Sequence, residues 1–292
     1  MSSPELILPE RVPTVGIEIA KQARRPRTVG MFVVVGGVVA TVCGLVAAYR
    51  GRSPQRIGDW GSVQPASTGI ALALVAVNAL TLLAFPFVAC VFAGDSIAGE
   101  ANSGSLRYLM ARPVPRWRIA TSKIFVAAAL TASTIAVSVI VAFLVGLVIY
   151  GWADLPVVDL QHSTAFNLAS AVFNTPEALL RSGLAAAVIL ASTAAVFAFS
   201  FLLSTITEYS FAAVGGGIGL VFTSRALDNI PGLHSLSAWL PVTDSGTTAW
   251  TGLFDRPVQT GPIAHLLIVE ALYSAALLAV GLHRFIRRDL LS

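Results

Sequence analysis

Residues 94–123 read GDSIAGEANSGSLRYLMARPVPRWRIATSK and lie between two long apolar runs. The stretch holds Asp95 and Glu100 early, then Arg107, Arg112, Arg116, Arg118 and Lys123. Almost everything around it is greasy, so a loop this dense in charge is expected to face water. An excess of Lys and Arg in a short loop marks the cytoplasmic side of a membrane protein. Working outward, the flanking runs are long enough to cross a bilayer, whose core of about 30 Å needs about 20 apolar residues as a helix.

Composition agrees with that reading. Of the 292 residues, 55% are hydrophobic and only 12% charged. A soluble domain carries roughly twice that charge, so the apolar surface is meant for lipid. Six segments qualify as spans or nearly so. They are Val29 to Tyr49, Thr68 to Ala93 with Pro86 inside it, Ile124 to Trp152, Ser182 to Thr205, Tyr209 to Ser224, and Ile263 to Leu282. The fifth is short and Gly-rich, and its glycines either permit close helix approach or are ordinary membrane-helix glycines. Before the first span, residues 1–28 are polar and end in a basic cluster, and no small-residue cleavage site follows. The first run is therefore expected to be a retained anchor. The fold expected is a single all-α transmembrane domain over residues 1–292.

Counting Lys and Arg orients it. With the N-terminus inside, the inner segments hold thirteen of the nineteen basic residues and the outer segments six. Acidic residues divide evenly and do not decide. Six spans with both termini cytoplasmic is the consistent solution. Residues 12–25 predict an amphipathic helix on the inner surface. Val12, Val15, Ile19 and Ala23 share one face and Glu18, Lys21, Arg24 and Arg25 the other, with Ile17 the exception. Basic residues there suit anionic headgroups. On the outer side, Gly151 to Arg181 forms one excursion. Arg225 to Pro262 forms another, whose Ile230, Leu233, Leu236, Trp239 and Leu240 are too apolar for a free loop. Short helices dipping into the outer leaflet are expected there, with Trp239 and Trp250 at the interface.

The loop resembles the inner loop of membrane subunits of type-2 ATP-binding-cassette (ABC) exporters. Those subunits typically show an apolar span, an Asp, an apolar residue, a Glu, then Gly-Thr-Leu, a Leu-rich turn, an Arg or Ser before Pro, a second basic residue and a Lys opening the next span. Asp95, Ile97, Glu100, Gly104, Leu106, Leu109, Arg112, Pro113, Arg116 and Lys123 match this order, while Ser105 and Met110 stand where Thr and Leu are usual. The resemblance extends to the six spans, the basic surface helix and the apolar outer insert. It implies that the loop forms a coupling helix seated in a groove of a separate ATPase subunit. Asp95, Ile97, Glu100, Gly104, Leu106, Arg107, Arg112, Pro113 and Arg116 would then serve that contact. It also implies a second permease subunit, the lipid bilayer and no nucleic acid as partners, a bacterial plasma membrane, and ATP with Mg on the partner ATPase, with no cofactor on this chain.

Physical chemistry is compatible with that role. Asp95 can cap a helix that follows it, Glu100 is available to a basic partner, and the arginines supply donors for carboxylates. Pro113 and Pro115 stop the helix and return the chain to the membrane. Topology-anchoring charge alone would explain the Arg and Lys, but not the two acids or the ordered Gly and Pro.

Other chemistries find little footing. There is no GxxxxGK[ST] string, so ATP hydrolysis is expected on another polypeptide. No CxxC, HExxH or Cys/His cluster occurs, and no metal site is expected. Cys43 and Cys90 should differ in depth by more than about 10 Å at the helical rise, beyond the reach of a disulfide. Glu270 is the acid deep in a span. It reads either as a pathway contact for substrate or proton, or as an interhelical hydrogen bond. Asn78, in the second span, reads as helix-packing glue. An ion-coupled secondary transporter using Glu270 is the alternative function, although no inverted repeat relates the two halves. An intramembrane hydrolase would need a Ser or Asp motif inside a span, and none is recognisable.

Overall fold

A computed structural model describes residues 26–49, 68–105, 115–158, 170–228, 230, 239–243, 249–255 and 257–287. The expected surface helix at 12–25, the turn carrying Leu106, Arg107, Arg112 and Pro113, and most of the outer insert lie outside the described residues. Among the described residues the protein is helical apart from one two-stranded ribbon. Six helical segments among these residues are long and apolar enough to cross a membrane, the fourth of them counted as one run over Thr175–Ile206, and a shorter apolar helix precedes the second.

Helix α1 (Pro26–Tyr49) buries a stripe of Val35, Val39 and Cys43 at four-residue spacing and leaves Val33, Val34, Val38 and Leu45 exposed. An apolar helix with one narrow buried stripe presents its remaining surface to lipid or to another chain. Helix α2 (Gly69–Leu82) is the opposite case and is buried on nearly every side. Thr68 caps it, its hydroxyl accepting from the Ala71 N–H at 3.2 Å.

The second span is broken where it was expected to be continuous. Helix α2 ends at Leu83 (φ −140°, ψ −41°), and α3 runs from Ala84 to Asn102. Pro86 accounts for the break: it has no N–H to offer the Leu82 carbonyl, and its ring clashes there. Helix α3 also continues past Ala93. Gly94 to Asn102 are its last turns rather than a water-facing loop, and Ser96, Ile97, Ala98 and Glu100 are buried. Reading hydropathy stops at the first charge, whereas the helix continues because its charges find partners on neighbouring helices.

Helix α4 (Arg116–Tyr150) starts eight residues before the predicted span. At 1.5 Å per residue its length is about 50 Å, well beyond a bilayer core. The ribbon follows, β1 (Leu155–Val158) antiparallel to β2 (Ser170–Phe173), with Leu155 opposite Phe173. The fourth span is again two helices, α5 (Thr175–Ala191) and α6 (Ala194–Ile206). At the junction the Ser192 hydroxyl donates to the Ile189 carbonyl and the Thr193 hydroxyl to that of Leu190. Hydroxyls bonding back onto a helix compete with its ladder and bend it. Helices α7 (Ser210–Asp228) and α8 (Thr260–Arg287) complete the bundle, with a 3-10 turn at Ala249–Phe254 between them.

Helix α3 is the hub. It packs most extensively on α6 and α7, and α6 packs in turn on α8, while α2 and α1 pack on α4. Two glycines bring the α2 and α4 backbones together. A Cβ on Gly69 would sit 2.7 Å from the Gly146 carbonyl oxygen, and a Cβ on Gly146 would strike the Gly69 carbonyl. In the Gly-rich fifth span, Gly217 faces Ser200 and Cys90 and Gly216 faces Leu203, while Gly215 and Gly219 touch nothing. The run is therefore half packing device and half open helix surface. Cys43 and Cys90 are free and buried.

At the end of the bundle carrying the ribbon, Asp154 accepts from both the N–H and the hydroxyl of Thr175 and so caps α5 from outside it. Arg181 lies over the Phe173 ring at 4.4 Å, pairs with Glu177 at 2.8 Å and donates to the Leu253 carbonyl. Phe254 stacks edge-on against Phe173 and Trp250. Trp250 is buried in this cluster rather than presented at an interface, while Trp239 is exposed and meets His265 edge-on.

Candidate functional site

The polar residues of the signature stretch gather at the opposite end, where α3 and α8 finish and α4 and α7 begin. Among the described residues, side-chain contacts cross between helices there. Glu100 of α3 forms an ion pair with Lys123 of α4, Oε1 to Nζ at 2.6 Å, both side chains less than a tenth exposed. Asp95 of α3 accepts from the hydroxyl of Ser210, the first residue of α7, at 2.6 Å. Arg116, the first residue of α4, donates from Nη1 to the carbonyl of Ile286 in the last turn of α8 at 3.1 Å.

Each contact has a local cause. Asp95 and Glu100 are five positions apart on a helix, so their side chains leave in different directions and reach different neighbours. Gly99 sits beneath Asp95, where any Cβ would collide with the carboxylate. The Ile286 carbonyl belongs to the last turn of α8, whose acceptors have no partner within the helix. Arg116 supplies one, and Arg284 and Arg287 place further positive charge at that negative dipole end. Helix α3 is closed by its own chain. Ser103 N–H donates to the Gly99 carbonyl, Gly104 N–H to that of Ala101, and the Ser103 and Ser105 hydroxyls both donate to that of Glu100. Gly104 adopts φ +70°, a conformation that favours glycine at a helix end.

These positions correct one local expectation: Asp95 does not cap a following helix, but lies inside α3 and holds α7. Glu100 has a basic partner within the chain, Lys123. Arg116 donates to α8. Ile97 is fully buried in the apolar core, with Ile119 and Ala120 in the same cluster. Ser103, Gly104 and Ser105 are exposed, as are Trp117 and Arg118, whose guanidinium lies 5.9 Å from the Trp117 ring. Leu106, Arg107, Arg112 and Pro113 lie outside the described residues.

A buried ion pair is a demanding arrangement. Its desolvation cost offsets much of the attraction, but removing one partner strands a charge and costs about 3–5 kcal/mol. Lys123 and Ser210 are the residues that sequence reasoning did not single out as partners. The signal was present for Lys123: an acid and a base at facing ends of an antiparallel helix pair. Nothing near Ser210 marked it.

Glu270 lies elsewhere, inside α8, and is 2% exposed. Its Oε2 accepts from the Ala195 N–H at 2.7 Å. The Val242 amide faces the same carboxylate without completing a hydrogen bond, and Oε1 has no full partner. Val242 is held at φ +63°, unusual for a β-branched residue. Among the described residues, no group of three or more His, Cys, Asp and Glu could hold a metal ion.

A family model described as ABC-2 family transporter protein matches residues 15–290. A search of curated proteins returned no match.

Proposed function

This chain belongs to the ABC-2 transporter family and is a multi-pass membrane component of an ABC transporter, and we propose that it is the permease of an ATP-driven exporter in a bacterial plasma membrane. ATP and Mg bind to a separate ATPase subunit. That subunit engages the end of the bundle where α3 passes into α4, through Gly104, Leu106, Arg107, Arg112 and Pro113. Two permeases work with two ATPases, and both termini of each permease are cytoplasmic.

The observation that carries this reading is the convergence of α3, α4, α7 and α8 on one polar end. A push at the segment joining α3 to α4 reaches α4 through Glu100–Lys123, α7 through Asp95–Ser210 and α8 through Arg116–Ile286. Four spans are thus mechanically connected to one short surface segment, as an external motor would require. The positive-inside distribution supports placing that end in the cytoplasm. The bundle's surface is apolar with few ionisable groups, which favours an apolar or amphipathic cargo over a sugar.

An ion-coupled carrier would use Glu270 as its exchanging acid. That carboxylate is closed from solvent and engaged by a helix end, which supports a positioning role instead. The test is transport by the purified permease–ATPase complex in proteoliposomes. ATP-dependent movement of amphipathic dyes, with hydrolysis stimulated by the same compounds, is the expected result. Uptake driven by an ion gradient without ATP would overturn the reading.

A further inference from the structure

We propose that Lys123 and Ser210 are positioning residues for energy transfer. Lys123 locks α4 to the end of α3 through Glu100, and Ser210 ties α7 to the same helix through Asp95, so that a displacement of the segment after α3 moves α4 and α7 together. The inference rests on the exporter reading and deepens it, because it assigns Glu100 and Asp95 to intramolecular transmission rather than to contact with the ATPase.

Three observations support it. The Glu100–Lys123 pair is buried and short, 2.6 Å with both side chains less than a tenth exposed. A flexible surface pair would not transmit a displacement, whereas a desolvated pair holds one geometry because leaving it strands a charge. Next, α3 terminates one turn beyond Glu100 in a closed set of backbone and hydroxyl bonds. Force applied at Ser103 or Gly104 therefore reaches a rigid helix end rather than a fraying one. Finally, Asp95 contacts the first residue of α7 at 2.6 Å, and close packing lies beside that contact. A Cβ on Gly94 would meet the Val214 backbone at 3.0 Å, so α3 and α7 are in backbone-close contact beside the bond. The two contacts leave α3 in different directions, one to each neighbour.

The test reads motion at the far end of α7. Ala226, exposed near that end, is replaced by Cys and labelled with bimane in a Cys43→Ala/Cys90→Ala background. The permease is purified with its ATPase, and the fluorescence change on adding ATP and vanadate is measured. The parent should respond. Lys123→Met, Glu100→Gln and Ser210→Ala should each weaken the response by at least about threefold, the scale on which coupling substitutions act. The amount of co-purified ATPase and its basal hydrolysis should not change. The charge-swapped double variant Glu100→Lys/Lys123→Glu should recover most of the response, because it restores the pair; a merely structural role would instead lower ATPase retention or basal hydrolysis in the single variants along with the response.

Full responses in the single variants would overturn the proposal, and so would a double variant no better than the singles. Where a single charge variant fails to assemble, Ser210→Ala, read by the same criterion, decides. Loss of co-purified ATPase in an otherwise folded Glu100→Gln would return Glu100 to the intermolecular contact and also overturn it. A parent that binds and hydrolyses no ATP with any ATPase would defeat the exporter reading itself, a distinct outcome.

Discussion

The carboxylate of Glu270 in α8 accepts a hydrogen bond from the backbone N–H of Ala195 at 2.7 Å, at the point where the fourth span is broken. A helix restarting inside a bundle exposes amide donors that its own turns cannot satisfy. Thr193, at the cap position, spends its hydroxyl on the Leu190 carbonyl and makes no cap bond. Glu270 supplies the acceptor instead, from 75 residues away in sequence.

Glu270→Gln should therefore preserve the fold, because the amide retains an acceptor oxygen of the same shape. Glu270→Leu should destabilise by about 1–3 kcal/mol, the cost of leaving a buried donor unmet. Thermal unfolding of the purified protein in detergent separates the two. Equal losses for Gln and Leu would show that the charge, and not the acceptor, matters.

The α2–α4 contact depends on two residues without side chains. Gly69→Ala places a methyl 2.7 Å from the carbonyl oxygens of both Gly146 and Gly151, and overpacking of this kind costs about 1–3 kcal/mol. Gly183→Ala is the control, since nothing lies within 4 Å of a Cβ there. A fall in melting temperature for the first and none for the second is expected. Similar behaviour of the two would mean that the helices separate easily.

At the ribbon end, Arg181 joins α5, the ribbon and the 3-10 turn. Arg181→Met should keep the contact with Phe173 but lose the bonds to Glu177 and the Leu253 carbonyl. Amide exchange in Ala249–Phe254 should rise about tenfold or less, the equivalent of one net hydrogen bond, with no change near Lys123. Unchanged exchange at Leu253 would show that Arg181 does not hold the turn.

The six spans were legible because runs such as 124–150 carry no charged residue and, Glu270 apart, charge gathers toward the span ends. The break in the second span was missed although Pro86 lay in plain view, because membrane helices often tolerate proline. The break at Ser192–Thr193 was not legible, since both residues are common inside membrane helices and the deciding partner, Glu270, lies far along the chain. The ribbon was hidden for a different reason: four-residue strands carry too little pattern to stand out beside long helices. Asp95 and Glu100 were legible as special residues but not as partners of Ser210 and Lys123. Periodicity within one helix does not say which neighbour its faces meet.

The orientation rests on charge counting and is open to direct measurement. Ser103→Cys and Ala153→Cys, at opposite ends of the α3–α4 pair, should differ in intact cells. An impermeant thiol reagent should label only Ala153→Cys. Labelling of Ser103→Cys from outside would reverse the orientation.

The central claim is that a separate ATPase acts on the end of the bundle where α3 passes into α4. The most direct measurement places a photo-crosslinking maleimide on Ser103→Cys and, in a second sample, on Ala153→Cys, with the ATPase co-expressed. A crosslinked permease–ATPase species is expected from Ser103→Cys and none from Ala153→Cys. Crosslinking from Ala153→Cys, or from neither position in a complex that hydrolyses ATP, would contradict the claim.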